Sequence, residues 1–239
     1  AAVFFEGDYA LNDRWTVTLG ARYTEDEKLS QQTGNLSTGP NHPTAEWDEV
    51  TSKFGVRYQA TDDAMIYATW SKGYRSGGFN GRVDEQDSAR IPYDPETVDN
   101  YELGFKTEWR DNALRLNGAI FYMDYQDKQE EIGLPSDGAT GQRISVFNAA
   151  SATMQGVELE LQAMLTESFS IRANLGYLDS EYDEFSFMGP NGIEDLSGFD
   201  FRRAPEFTGT LDATYEWQVG AGAAWVRGSY HLIGEHFVE

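Results

Sequence analysis

The sequence predicts an all-β chain, part of an antiparallel up-and-down transmembrane β-barrel. Three features predict it. Short polar turns recur about every fifty residues, near Asp13, Asp62, Asp111, Glu167 and Gly220. Each turn is flanked by two segments of about ten residues in which apolar and polar side chains alternate, and between these hairpins run long loops rich in Gly, Asp, Ser, Asn and Pro. Tilted strands of about 9–11 residues cross a bilayer, and one rim of short turns opposite one rim of long loops is the outline of an outer-membrane barrel.

Taken in order, about ten strands are expected: 2–10, 14–24, 50–60, 64–72, 97–109, 113–126, 142–165 with an interruption near Asn148 to Thr153, 169–179, 206–217 and 223–233. The second strand shows the alternation most clearly, with Trp15, Val17, Leu19, Ala21 and Tyr23 on one face and Thr16, Thr18, Gly20, Arg22 and Thr24 on the other. One such strand fits a soluble sandwich as well as a lipid-facing wall. The set favours the wall, because the pattern repeats along Tyr101–Leu103–Phe105, Val157–Leu159–Leu161, Ile171–Ala173–Leu175 and Phe207–Leu211–Tyr215. Facing in the fourth and sixth strands is left open, since Tyr67 and Phe121 fall on the otherwise polar face.

Tyr and Trp crowd the ends of the apolar faces: Tyr9, Trp15, Tyr23, Tyr58, Trp70, Tyr101, Trp109, Tyr177, Tyr215 and Trp217. An amphipathic ring is stabilised at the headgroup boundary, its body in hydrocarbon and its O–H or N–H in water. A general preference of strands for aromatic residues is the competing explanation, and it does not account for the repeated end position.

Composition narrows the function. The 239 residues carry 18 Lys and Arg against 40 Asp and Glu, a formal net charge of −22, with no Cys and 3 His. No basic cluster is present to replace counterions along a phosphate backbone, so nucleic acid is not an expected partner. Absence of Cys suits an oxidising compartment. No apolar run is long enough for a transmembrane helix. The chain begins Ala-Ala-Val-Phe-Phe and stops at His-Phe-Val-Glu, so a fragment of a longer protein is expected.

Several stretches carry a family resemblance. Asp94 to Gln129 (DPETVDNYELGFKTEWRDNALRLNGAIFYMDYQDKQ), Ile66 to Asn80 (IYATWSKGYRSGGFN), Met154 to Leu165 (MQGVELELQAML) and Arg202 to Trp217 (RRAPEFTGTLDATYEW) together resemble TonB-dependent outer-membrane receptors. The resemblance spans nearly the whole chain. It implies about ten strands of a 22-stranded barrel, with residues 1–239 forming part of one barrel domain and the plug, the TonB box and the terminal strands absent from this sequence. It also implies active import of a scarce nutrient across the outer membrane of a Gram-negative bacterium, most often a ferric siderophore, energised through the TonB complex, with outer-membrane lipid around the wall and no cofactor.

The same motifs have a physical reading. Glu102 with Lys106, and Glu158 with Glu160, project to the lumen side, and Arg22, Arg57, Arg115 and Arg172 are placed to answer the acids from other strands. These eight residues are the expected lumen-lining or plug-facing set; a solvated wall without specific plug contacts is the equal alternative. Tyr74, Arg75, Phe79, Asn80, Tyr93 and Arg202, on the outer loops, are the candidate ligand contacts. The glycines around the first four, Gly73, Gly77, Gly78 and Gly81, permit unusual backbone angles, which favours loop structure over ligand contact.

Catalysis has little support. His42, His231 and His236 are scattered, with no H-E-x-x-H and no nucleophile elbow. Carboxylates are too numerous for any pair to indicate glycoside hydrolysis, and Asp84, Glu85 and Asp87 lack the loop spacing of a Ca²⁺ site. No enzyme and no metal site are expected. A passive porin or another outer-membrane barrel is the alternative function; a soluble β-propeller, which needs four short strands per period, fits worst. Loops 25–49, 73–96, 127–141 and 180–205 are expected outside the cell and the short turns in the periplasm.

Overall fold

A computed structural model of the chain describes residues 1–31, 42–80, 91–135, 142–189 and 192–237. Ten strands form one antiparallel sheet: β1 (Ala2–Ala10), β2 (Trp15–Leu29), β3 (Thr44–Thr61), β4 (Ala64–Arg75), β7 (Glu96–Trp109), β8 (Leu114–Pro135), β9 (Gln142–Thr166), β10 (Phe169–Glu184), β13 (Phe207–Val219) and β14 (Gly222–Ile233). They pair in chain order without a crossover, β1 and β14 being the two edges of the sheet. Two small ribbons decorate the long-loop rim, β5 (Gly78–Phe79) with β6 (Pro92–Tyr93) and β11 (Ser186–Gly189) with β12 (Gly192–Asp195). Among the described residues no helix is long and apolar enough to cross a membrane.

Turn chemistry closes the smooth rim. Asn12 Oδ1 accepts the backbone N–H groups of Arg14 and Trp15 at 2.9 and 3.0 Å, an Asx turn that reverses the chain into β2. Arg110, Asp111 and Asn112 all take left-handed backbone angles between β7 and β8, and Gly220 takes φ 60° between β13 and β14, where glycine carries no Cβ penalty.

The larger extensions beyond the apolar alternation lie at the long-loop end, β2 to Leu29, β3 back to Thr44, β4 to Arg75, β8 to Pro135 and β10 to Glu184, whereas β13 gains two residues at its short-turn end. Past Tyr23 and Val50, β2 and β3 continue paired through Glu25–Asp48 and Glu27–Glu46 to Leu29–Thr44. These charged stretches show no apolar face, so their side-chain pattern reads as loop, while the backbone ladder continues without one. The break expected near Asn148 to Thr153 does not occur, because β9 runs unbroken from Gln142 to Thr166. Its ladders are nonetheless irregular there: the β9–β10 register shifts where Tyr182 pairs with Ala152 and Glu184 with Ser151, and on β8 the pairing skips Asp127, at φ 53°, between Gln126–Ser151 and Lys128–Ala149. β8 and β9 have 22 and 25 residues, roughly twice what a tilted strand needs to cross the hydrocarbon.

The two faces separate as the alternation predicts. Leu19, Phe54, Ile66, Leu103, Ile120, Leu159, Leu175 and Leu211 all lie exposed on the outward face. Tyr67 and Phe121, left open by the sequence, lie on the inner face, and each covers a glycine of the neighbouring strand. A Cβ built on Gly104 would stand 2.5 Å from the Tyr67 ring, and one on Gly156 2.7 Å from the Phe121 ring. Because an aromatic ring takes the space over a side-chain-free backbone, a large apolar residue is accommodated on a polar face.

Among the described residues a closed core forms only beyond the wall. Ala152, Tyr182, Phe185, Phe187 and Phe201 are buried together, with Tyr125, Phe147 and Met154 packed against them. Strands with lipid on one side and lumen on the other have nothing to close upon. Where β8, β9 and β10 run on past the apolar band, residues 185–189 and 192–201 fold back over them and supply the second layer.

Candidate functional site

The outer rim gathers aromatic side chains from several strands. Gly78 and Phe79 pair with Tyr93 and Pro92, and Phe79 meets Trp47 of β3 edge-on with ring centroids 6.5 Å apart. Gly77 is required at this crossing, because a Cβ there would fall 2.3 Å from the Tyr93 carbonyl oxygen and 2.6 Å from the Trp47 ring. Lys28 of β2 donates to the Gly77 carbonyl at 2.5 Å and lies over the Trp47 ring, 5.7 Å from its centroid. Of the expected ligand contacts, Phe79 and Tyr93 are thus brought together, joined by Trp47 and Lys28, which the sequence reading missed. Both belong to the strand extensions that carry no apolar alternation.

The remaining contacts separate. Arg75 ends β4 opposite Glu96, and the Tyr74 hydroxyl is buried without a partner among the described residues. Asn80 turns its side-chain amide onto β9, donating to the Val146 carbonyl at 3.2 Å and accepting the Val146 N–H at 2.7 Å. Arg202 lies in a different cluster, donating to Glu130 Oε2 at 3.2 Å and to the Glu131 carbonyl at 2.6 Å.

That cluster lies at the edge of the core on the long-loop rim. Lys128 pairs with Glu130 and sits 4.4 Å from the centroid of Phe201, with Tyr182 and Tyr125 also facing its ammonium. Burial pushes the Glu130 carboxyl up, but the hydrogen bond and charge of Lys128, with help from Tyr182 and Arg202, more than offset it and hold it below the ordinary range. Burial, then the Glu130 carboxylate, pushes the Tyr182 hydroxyl up, so it stays protonated. A cavity of about 360 Å³ opens beside the cluster, lined by Phe121, Lys128, Glu130, Phe201, Arg202 and Arg203 among others.

The inner wall is polar and internally bonded. Tyr67 donates to Glu102 Oε1 at 2.6 Å, and Lys106 lies over the Tyr67 ring. Asn117 and Gln162 donate to the two oxygens of Glu160 at 3.0 and 2.9 Å. Neutral donors, not arginines, therefore hold Glu102 and Glu160. Arg57 pairs instead with Asp8 at 2.6 Å, and Arg115 with Glu108. Arg22 donates to Thr24 Oγ1 at 3.0 Å. Arg172 stands in register between Gln162 and Asp212 and makes no ion pair among the described residues, as is true of Lys106 and Glu158. A groove of about 630 Å³ runs along this face past Tyr67, Lys106, Asn117, Glu158 and Glu160.

Among the described residues no group of three His, Asp or Glu side chains is placed to hold a metal ion. Asp84, Glu85, Asp87 and Gly81 lie outside the described residues.

An antiparallel meander with an apolar, aromatic-tipped outer face, a polar inner face, short turns on one rim and long excursions on the other defines a wall of an outer-membrane barrel. The family described as "TonB dependent receptor-like, beta-barrel" matches residues 1–236, and the chain belongs to it. Barrels of this family are outer-membrane proteins of Gram-negative bacteria. The chain is 27% identical to the pesticin receptor of Yersinia pestis, covering 100% of itself and 33% of that protein. It is 26% identical to a probable TonB-dependent siderophore receptor, PiuA, of Acinetobacter baumannii, covering 94% of itself and 31% of that relative. It thus spans about a third of the length of these relatives. Among solved structures, the ferric yersiniabactin uptake receptor FyuA from Yersinia pestis superposes with a TM-score of 0.75 at 24% identity, over 100% of this chain and 34% of that one. PiuA superposes at 0.66 and 23% identity, over 96% and 35%.

Proposed function

We propose that the chain forms part of the barrel of an outer-membrane receptor that imports a ferric siderophore, energised through TonB. The observation that carries this reading is the match of the receptor-barrel family to nearly the entire chain, together with relatives named as siderophore receptors. In this reading the ten strands belong to a larger barrel of 22 strands whose lumen holds a plug. The inner-wall set of Arg22, Arg57, Glu102, Lys106, Arg115, Glu158, Glu160 and Arg172 faces that plug through hydrated contacts, which separate at low cost because water replaces them. The aromatic surface of Trp47, Phe79 and Tyr93 meets the ligand from the cell exterior.

The test is uptake of radioiron, presented as a panel of ferric catecholates, hydroxamates and phenolate chelates, by cells carrying the full-length receptor with and without TonB. Uptake of at least one chelate that disappears without TonB or without the proton-motive force is expected. Uptake undiminished without TonB favours a passive channel and removes this reading.

A further inference from the structure

The excursion between β4 and β7 is strung on those two strands, yet its ends are fastened to β8 and β9. Gln129 of β8 is only 7% exposed, and its amide nitrogen donates to the carbonyls of Ser76 at 3.1 Å and Asp94 at 3.0 Å. These are the two ends of the excursion. The backbone N–H of Gln129 donates to Glu96 Oε2 at 2.7 Å. Asn148 of β9 accepts the Asp94 N–H at 3.0 Å and donates to the Asp94 carbonyl at 2.9 Å and the Asp127 carbonyl at 2.8 Å. The left-handed angle at Asp127 interrupts the β8–β9 ladder at this point, and Asn148 bonds the carbonyl of that residue. Asn80 adds its two bonds to Val146.

We propose that Gln129 and Asn148 are positioning residues for the ligand surface. They lock the Gly78–Phe79 and Pro92–Tyr93 ribbon to the β8–β9 hairpin, so that the ligand meets a preformed aromatic face. The proposal rests on the reading of this rim as the siderophore contact. Three features carry it. The bonds are side-chain amide to backbone, so they replace a β-ladder where no neighbouring strand is in register. One amide donates to both ends of the excursion, so a single substitution releases both. These amide-to-backbone bonds carry no net charge, those of Gln129 part-buried and those of Asn148 exposed, so they are far less sensitive to salt than the ion pairs elsewhere on the wall. Binding to a surface ordered in advance avoids the entropy of ordering it at the moment of contact.

The experiment uses the full-length receptor in outer-membrane vesicles, with Gln129→Leu, Asn148→Leu and Gln129→Glu. The probe is whichever ferric chelate of the panel above the unsubstituted receptor takes up best. Hydrogen exchange of the amides at 76–80 and 91–96 is read beside the Kd. Faster exchange in the Leu variants and a roughly tenfold weaker Kd, with unchanged assembly of the barrel, are expected. Gln129→Glu provides a readout that a purely structural role does not move. Its ionised carboxylate faces two carbonyl oxygens, whereas the protonated acid can donate to one, so its affinity should recover as the pH falls while that of the unsubstituted receptor does not follow. Unchanged exchange overturns the clasp itself. Faster exchange with unchanged Kd overturns the positioning role. If the unsubstituted receptor takes up no ferric chelate, the siderophore reading fails and the positioning role with it, while the exchange data still decide the clasp.

Discussion

The hydroxyl of Tyr67 on β4 donates to Glu102 on β7 at 2.6 Å, across a seam where the backbone opposite Tyr67 belongs to Gly104. The aromatic ring and the carboxylate share one inner face because the glycine leaves the ring room to lie down along the wall. Phe121 repeats the arrangement over Gly156 two strands further on.

The two glycines differ in what surrounds them, which separates their variants. A Cβ at Gly104 would press on the far end of the Tyr67 side chain, which can swing away, but at Gly156 it would stand 2.3 Å from the backbone carbonyl oxygen of Tyr177. Gly156→Ala is expected to destabilise the folded barrel by about 1–3 kcal/mol and Gly104→Ala by distinctly less. Urea unfolding of the full-length protein in lipid vesicles measures both, and equal costs would contradict the assignment.

Facing can be tested with paired charges. Leu19→Arg and Leu161→Arg place a guanidinium against hydrocarbon and should cost about 2–4 kcal/mol near mid-bilayer, whereas Thr18→Arg and Gln162→Arg face the hydrated lumen. Folding yield into vesicles should fall sharply for the first pair and little for the second. Equal yields would reverse the reading of the two faces.

The Lys128–Glu130–Arg202 cluster makes the docking of the segment around Phe201 dependent on pH. The Glu130 carboxyl is held below its ordinary value of 4.5 in the folded protein. A depressed carboxyl stabilises the fold fully above its unfolded value and loses that contribution as the pH falls through the folded one. Limited proteolysis near Arg202 and Arg203 should therefore accelerate as the pH drops below about 4.5. Glu130→Gln should already be cleaved faster at neutral pH, with most of the acid dependence gone, since Lys128 and Arg202 then lack their shared anion.

Orientation is expected to follow loop length. Epitope tags inserted after Ser136 or after Asn191 should be readable on intact cells carrying the full-length receptor, and tags at Asp62 or Gly220 only after permeabilisation. Surface access at the short turns would invert the topology.

The candidate site was legible only in part, and the residues show why. Phe79 stood out as an aromatic side chain beside glycines and Tyr93 as one on an outer loop, both local signals. Trp47 and Lys28 did not, because they lie in acidic stretches whose alternation carries no apolar face. Gln129, Asn148 and Glu130 are single polar residues in a chain full of them. They matter because of backbone groups far away in the sequence, such as Ser76 and Asp94 for Gln129. Arg202 was singled out, but its Glu130 partner lies 72 residues away, beyond the reach of any local pattern.

By itself the sequence determined the strand order, the short turns, the two faces and hence the membrane wall. These follow from period-2 alternation and turn chemistry, which act between residues near in the chain. Tertiary structure alone decided how far β2, β3, β8 and β9 reach past the bilayer, that β9 is unbroken, and where Tyr67 and Phe121 point. It also decided that the rim is tied by amides and an ion cluster. Each of these depends on which backbone or ring a distant strand presents, and that is settled only when the sheet assembles in register.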